Sequence, residues 1–182
     1  GENNGMTGSQ VSESVIGTGR GNTIEENGVI LSGQYNRCAG TDNVFHVGNF
    51  IGTGYLNQIL VSGRSGILTG KHNLIFDSRY SCLLNGYSNE MYGANYSTIV
   101  TGKYNVVNTN CKNATIVTGY QNTVTASNYC CIVNGSNNHI SKSNYTFIGG
   151  GNQNIITAGC SFALIGNGVN NTITANSTHS LI

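Results

Sequence analysis

Aliphatic residues recur along this chain at two fixed offsets from a recurring glycine, and polar residues fill most positions between them. The glycines are Gly1, Gly19, Gly33, Gly54, Gly70, Gly86, Gly102, Gly119, Gly135, Gly151 and Gly168. Three residues before them, from Gly19 onwards, stand Ile16, Ile30, Ile51, Ile67, Leu83, Ile99, Ile116, Ile132, Ile148 and Ile165. Five residues after them stand Met6, Ile24, Cys38, Ile59, Ile75, Met91, Val107, Val124, Ile140, Ile156 and Ile173. The glycine spacings are 18, 14 and 21, then 16, 16, 16, 17, 16, 16 and 17. Self-similarity at such a period marks a repeat architecture, in which each unit buries its apolar face only by stacking on its neighbours.

The β-branched content and the regularly placed glycines exclude helix. A period of this length predicts two strands of about five residues joined by two tight turns. In Ser97–Val107 the first strand ends at Gly102, the turn runs through Asn105, and the second strand passes through Val107. The two aliphatic series then face each other across a thin core. The predicted fold is all-β, a parallel β-roll or β-solenoid of about 10 coils with 16–17 residues per coil. Residues 1–182 form a single array, which opens on the signature glycine and closes on Ser180-Leu181-Ile182, the start of another repeat. It is therefore expected to be a segment of a longer fibre. Residues 34–53 are expected to form an irregular or bulged coil, because the interval from Gly33 to Gly54 is the longest of the series.

Three residues after the glycines comes an asparagine, at Asn22, Asn36, Asn57, Asn73, Asn89, Asn105, Asn122, Asn138, Asn154 and Asn171, with Asn4 before them. It is read as a structural ladder: Asn tolerates left-handed backbone, and its amide can bond to its copy one strand spacing, about 4.8 Å, away. The outward face of the first strand would be polar if it met water, yet it is apolar. Two before the glycine stand Gly17, Leu31, Gly52, Leu68, Leu84, Val100, Val117, Val133, Gly149 and Gly166; four before it stand Val15, Val29, Phe50, Gly66, Cys82, Thr98, Thr115, Cys131, Phe147 and Leu164. Where the first set has glycine, the second is large, as in Phe50/Gly52 and Phe147/Gly149. Such compensation is expected at a packed surface, because voids and overpacking both cost free energy. Phe50, Leu68, Leu84, Val100, Val117, Val133, Phe147 and Leu164 are thus candidate contacts between copies of the chain. Cyclic self-association, which matches each coil to its own copy, is the economical way to bury the strip.

Composition narrows the function classes. Only 8% of residues are charged, the formal net charge is +1 and the pI is about 7.8. No basic stripe for nucleic acid and no apolar run of the roughly 20 residues needed for membrane insertion is present. The 26 Gly and 28 Asn suggest disorder until the register of the aliphatic positions is noticed. Six cysteines, Cys38, Cys82, Cys111, Cys130, Cys131 and Cys160, form no CxxC pair and no column in repeat register. They read as small apolar fillers or free thiols, with cross-links between subunits as the other possibility.

The pattern resembles the head repeats of trimeric autotransporter adhesins, the YadA-like left-handed parallel β-roll. In those repeats an alternating apolar strand leads to Gly, followed by Ser or Asn three on and a small apolar residue five on. The best match runs from Ser143 to Gly159, with Ile148-Gly149-Gly150-Gly151, Asn154, Ile156 and Ala158. Related glycine-rich versions occur in viral and phage fibre proteins. The resemblance implies a homotrimer, intertwined or side by side, whose outer surface meets a host or matrix. The coils here are about two residues longer than the usual head repeat, and Ile or Val replaces Ala in the second strand.

Six before the glycine, aromatics recur as Tyr80, Tyr96, Tyr129, Tyr145 and Phe162, which read either as rings stacking on sugars or as a structural ladder closing the second turn. Tyr80, Tyr96, Tyr129 and Tyr145, with Asp42, Phe45 and His46 of the long interval, are the candidate ligand contacts. The histidines and acids fall at unrelated repeat positions, so no catalytic residue, metal site or cofactor is expected. The function expected is a non-enzymatic fibre or adhesin segment at a cell or virion surface. Its partners would be itself, as a homotrimer, and surface glycans or matrix protein, but not nucleic acid. A non-catalytic carbohydrate-binding part of a viral or phage tail fibre is a variant of this reading. The alternative class is an ice-binding solenoid, suggested by Thr123/Thr125 and Thr172/Thr174.

Overall fold

The computed structural model describes residues 1–8, 13–40, 48–174 and 176–182. They build a parallel β-solenoid of about ten turns with no helix. The first strands of successive coils stack into a 10-stranded sheet and the second strands into an 11-stranded sheet. Register follows the repeat: Ile99 pairs with Leu83 and Ile116, and Val107 with Met91 and Val124. Both aliphatic series point inward, and from Ile24 to Ile165 each of them is buried between the sheets.

The strands are shorter than the period suggests, two or three residues each, as in Thr98–Ile99 and Val106–Asn108. The reason is conformational. From the coil of Gly54 to that of Gly151, left-handed residues interrupt the chain at the glycine itself, two residues after it, seven after it and six before the next one; around Gly70 these are Gly70, His72, Asp77 and Tyr80. Isolated parallel bridges such as Lys71↔Tyr87 and Lys112↔Asn128 continue the pairing around the corners. The left-handed residue in the Gly–Asn corner is the one before the asparagine, not the asparagine as the sequence suggested: Leu56, His72, Tyr104 and Gln121 have positive φ, whereas Asn57, Asn73, Asn105 and Asn122 do not.

The two halves of a coil obey different length rules. From each first-strand aliphatic through the Gly–Asn corner to the next one is always eight residues, as in Ile16 to Ile24, Ile51 to Ile59 and Ile165 to Ile173. All variation in coil length falls in the opposite corner. That path takes eight residues from Ile75 to Leu83, nine from Val107 to Ile116, six from Ile24 to Ile30 and thirteen from Cys38 to Ile51. The 17-residue coils place their extra residue there in a second left-handed conformation, Asn110 after Thr109 and Gly159 after Ala158. The same corner is lined inside by small residues. Ser62, Ser78, Ala94, Cys111, Ser127, Ser143 and Cys160 form one column, and Ser65, Ser81, Ser97, Ala114, Cys130, Thr146 and Ala163 another, nearly all fully buried. Their hydroxyls replace missing turn bonds. Ser78 Oγ donates to the Phe76 carbonyl (2.9 Å) and accepts from the Ala94 N–H (2.9 Å), while Ser81 Oγ donates to the Ala94 carbonyl.

The irregular region 34–53 contributes strands at Arg37–Ala39 and Asn49–Ile51, both in register with their neighbours. Asp42, Phe45 and His46 lie outside the described residues.

Candidate functional site

The Gly–Asn corner is saturated with hydrogen bonds. Asn105 Nδ2 donates to Asn89 Oδ1 (3.1 Å) and to the Gly119 carbonyl (3.0 Å). Its Oδ1 accepts from Asn122 N–H (3.0 Å) and Asn122 Nδ2 (3.2 Å). The pattern runs from Asn4 through Asn22, Asn36, Asn57, Asn73, Asn89, Asn105, Asn122, Asn138 and Asn154 to Asn171; at Asn57, after the long coil, and at Asn171 the backbone N–H bond to the preceding Oδ1 is kept without the lateral Nδ2–Oδ1 bond. Those from Asn22 to Asn154 are buried. An amide that fills all its hydrogen-bonding capacity inside the protein has none left for a ligand. Glycine is required beside it: a Cβ on Gly102 would lie 2.3 Å from the Gly119 carbonyl oxygen and 2.5 Å from Asn105 Nδ2, at φ +114.

The outward face of the 10-stranded sheet is apolar along its length. Leu31, Leu68, Leu84, Phe147 and Leu164 are exposed, and Phe50, Val100, Val117 and Val133 are half-buried. Two constraints meet at its glycines. A Cβ on Gly17, Gly52 or Gly149 would lie 2.4, 2.2 or 2.2 Å from a carbonyl oxygen of the following coil. Close backbone approach therefore demands glycine there, and the large Val15, Phe50 and Phe147 cover the space it leaves.

Six before five of the glycines, from Tyr80 to Phe162, aromatics stack along the variable corner. Tyr80 and Tyr96 lie 4.9 Å apart and 6° from parallel; Tyr129, Tyr145, Phe162 and His179 continue at 4.8, 5.1 and 5.1 Å. The spacing equals the strand spacing, so one ring per coil falls into contact without adjustment. Asn113 interrupts the column between Tyr96 and Tyr129. The asparagines preceding these rings are structural: Asn95, Asn128 and Asn144 accept the N–H of Arg79, Lys112 and Asn128, each at 2.9 Å.

A second aromatic row, at the Gly–Asn corner, escapes a coil-by-coil reading because its period is two coils. Tyr35, Tyr55, His72, Tyr87, Tyr104 and Tyr120 alternate between the first and second residue after the glycine and meet edge to face at 5.7–5.8 Å. Lys71 Nζ lies 5.1 Å from the Tyr55 ring and Lys103 Nζ 4.7 Å from that of Tyr104. The alternation in sequence, Tyr55-Leu56, Lys71-His72, Tyr87-Ser88, Lys103-Tyr104, is the signal that would have found it.

At the variable corner, Asp77, Arg79, Tyr80, Gly93, Asn95, Tyr96, Asn110 and Lys112 line an open groove of about 530 Å³. All six cysteines are free thiols. Burial pushes the Cys38 thiol up to about 12 and raises those of Cys82, Cys111, Cys130 and Cys131. A raised pKa removes the thiolate and so the nucleophile. Burial also lowers the pKa of His139, on the outward side of the 11-stranded sheet. Among the described residues no three of His, Cys, Asp and Glu gather as metal ligands. No protein-family model matches the chain, and no curated protein matches its sequence.

Proposed function

We propose that this chain is a non-enzymatic structural segment of a surface fibre or adhesin, a stiff rod that assembles with copies of itself, as a homotrimer, through the outward face of its 10-stranded sheet. The observation that carries the reading is that face. It is apolar over ten successive coils, from Val15/Gly17 to Leu164/Gly166, while most inward positions are already committed to the solenoid's own core. A contiguous apolar strip of this length favours burial against a partner, and an identical array presents the same strip in the same register. The resemblance to trimeric adhesin heads supplies the number three. In such an assembly the two aromatic corners stay available for surface glycans or matrix, outside the cell or on a virion.

Light scattering tests the proposal. The expected mass at micromolar concentration is three times 19.2 kDa. Val100→Lys combined with Val117→Lys places two charges on the face and is expected to give monomers that retain the β-sheet circular dichroism. A wild-type monomer, or a variant that assembles undiminished, overturns it.

A further inference from the structure

We infer that Asn85, Asn134 and Asn167 are sites of spontaneous deamidation, in which the folded corner brings the reacting groups together and water is the co-reactant. The chemistry does not depend on self-assembly.

The chain has five Asn–Gly steps, Asn4-Gly5, Asn27-Gly28, Asn85-Gly86, Asn134-Gly135 and Asn167-Gly168. The structure sorts them into two groups. In the last three the glycine is the signature glycine of its coil, and the asparagine stands where most other coils carry Thr or Ser, as at Thr69, Thr101 and Thr118. There the Gly86, Gly135 and Gly168 N–H groups donate to the Oδ1 of the asparagine just before them, at 2.7, 2.6 and 2.8 Å, and to no other group among the described residues. All three asparagines are exposed. In the first two steps the nitrogen is committed elsewhere: Gly5 N–H donates to the Asn22 carbonyl (2.9 Å) and Gly28 N–H to Ser14 Oγ (3.2 Å). Asn4 and Asn27 use their Oδ1 to accept from the N–H of Asn22 and of Glu13.

The contact in the three corners joins the groups that deamidation must bring together. The carbon of the side-chain amide is one bond from the accepting oxygen, so nucleophile and electrophile are neighbours before any large motion. Glycine adds no Cβ to crowd the attack. The glycine nitrogen loses its proton to hydroxide and bonds to the asparagine Cγ. The Cγ–Nδ2 bond then breaks, and ammonia leaves with a proton from water, which restores the hydroxide and closes a succinimide ring. Water opens the ring at either carbonyl, giving Asp or isoaspartate, with no change of oxidation state. Each new carboxylate directly follows Leu84, Val133 or Gly166 of the apolar face, and three of them outweigh the formal net charge of +1. Isoaspartate also adds a main-chain carbon to the half of the coil whose length never varies. It displaces the Asn134 and Asn167 carbonyls, which accept from the Asn138 and Asn171 amides at 3.3 Å. Deamidation is thus an ageing reaction that weakens the rod at three of its corners.

Incubation of the native protein in mildly alkaline buffer, with the same chain in urea beside it, tests the sites by peptide mass spectrometry. In the native protein Asn85, Asn134 and Asn167 are expected to react roughly tenfold or more faster than Asn4 and Asn27, the difference between a positioned and an occupied nitrogen. In urea the five are expected to react at similar rates. The triple variant Asn85→Thr, Asn134→Thr, Asn167→Thr carries the residue that neighbouring coils use. It is expected to match fresh wild type in melting temperature and to hold that value through the incubation, while that of wild type falls. Native rates at the three sites below those in urea, a native ratio that persists in urea, or an equal fall in the triple variant overturns the inference.

Discussion

At the level of single residues, the Gly–Asn corner is where substitution costs most. Asn105→Ala removes the four side-chain hydrogen bonds of 3.0–3.2 Å and a longer one to the Thr101 carbonyl, and leaves the Asn122 N–H and the Gly119 carbonyl without their side-chain partner. A loss of about 2–4 kcal/mol in urea unfolding is expected. Gly102→Ala forces a Cβ into the next coil at a φ that L residues rarely adopt, and is expected to cost roughly 2–5 kcal/mol in the same experiment. The cysteines supply a pH prediction. The Cys38 thiol rises from about 9 unfolded to about 12 folded, so the native state holds a proton that the unfolded chain releases. The corresponding stability is fully present below pH 9 and declines as pH rises towards 12. Denaturation midpoints measured across that window should fall, and Cys38→Ala should flatten the fall. The inward aliphatics and the Asn series were legible in the sequence, because each keeps one chemistry at one offset. The left-handed residue before each asparagine was not: its identities, Tyr35, Leu56, His72, Ser88 and Gln121, share no side-chain property.

At the level of the coil, a fixed half and a variable half are joined in one unit. The fixed half cannot change length, because a shift there would misalign both the asparagine bonds and the glycine contacts of two neighbouring coils. The variable half already accommodates six to thirteen residues between its aliphatics. Inserting Gly-Ser between Thr109 and Asn110 is therefore expected to shift the melting temperature by only a few degrees, whereas the same insertion between Lys103 and Tyr104 should abolish cooperative unfolding. Loop-closure entropy grows slowly with length, so the first insertion adds well under 1 kcal/mol. Equal damage from both would refute the distinction. Glycine spacing alone hid this division, since it reports only the total. The small-residue columns were hidden for another reason: Ser, Ala, Cys and Thr interchange in them, united by volume and not by chemistry. The groove between Asp77 and Lys112 lay deeper still, because its lining is drawn from successive coils with different residues at matching positions, and a consensus reading averages such differences away.

For the molecule as a whole, nearest-neighbour stacking is the governing fact. Each coil touches the one before and the one after, so stability is approximately a sum over coils and their junctions. Deleting residues 119–134, one full 16-residue period, should leave a folded array one coil shorter with a modestly lower melting temperature, read by circular dichroism. The parallel register, the two stacked sheets and the number of turns followed from periodicity alone, because one repeating interval fixes them together. What binds the outward face did not, because a surface carries no record of its partner beyond its own apolarity. The direction of the bonds has a further consequence. Backbone pairs such as Thr98 N–H to Ala114 carbonyl and Val106 N–H to Asn122 carbonyl join successive coils, and the asparagine amides reinforce them in the same direction. Tension between the two ends of the rod therefore loads every bond of a junction in concert, and the junction yields at once or not at all. Each failure pays out some 16 residues of slack, about 50 Å beyond the coil's own rise. Under a single-molecule pull the rod should lengthen in even steps of that size, dissipating work coil by coil as a sacrificial tether does.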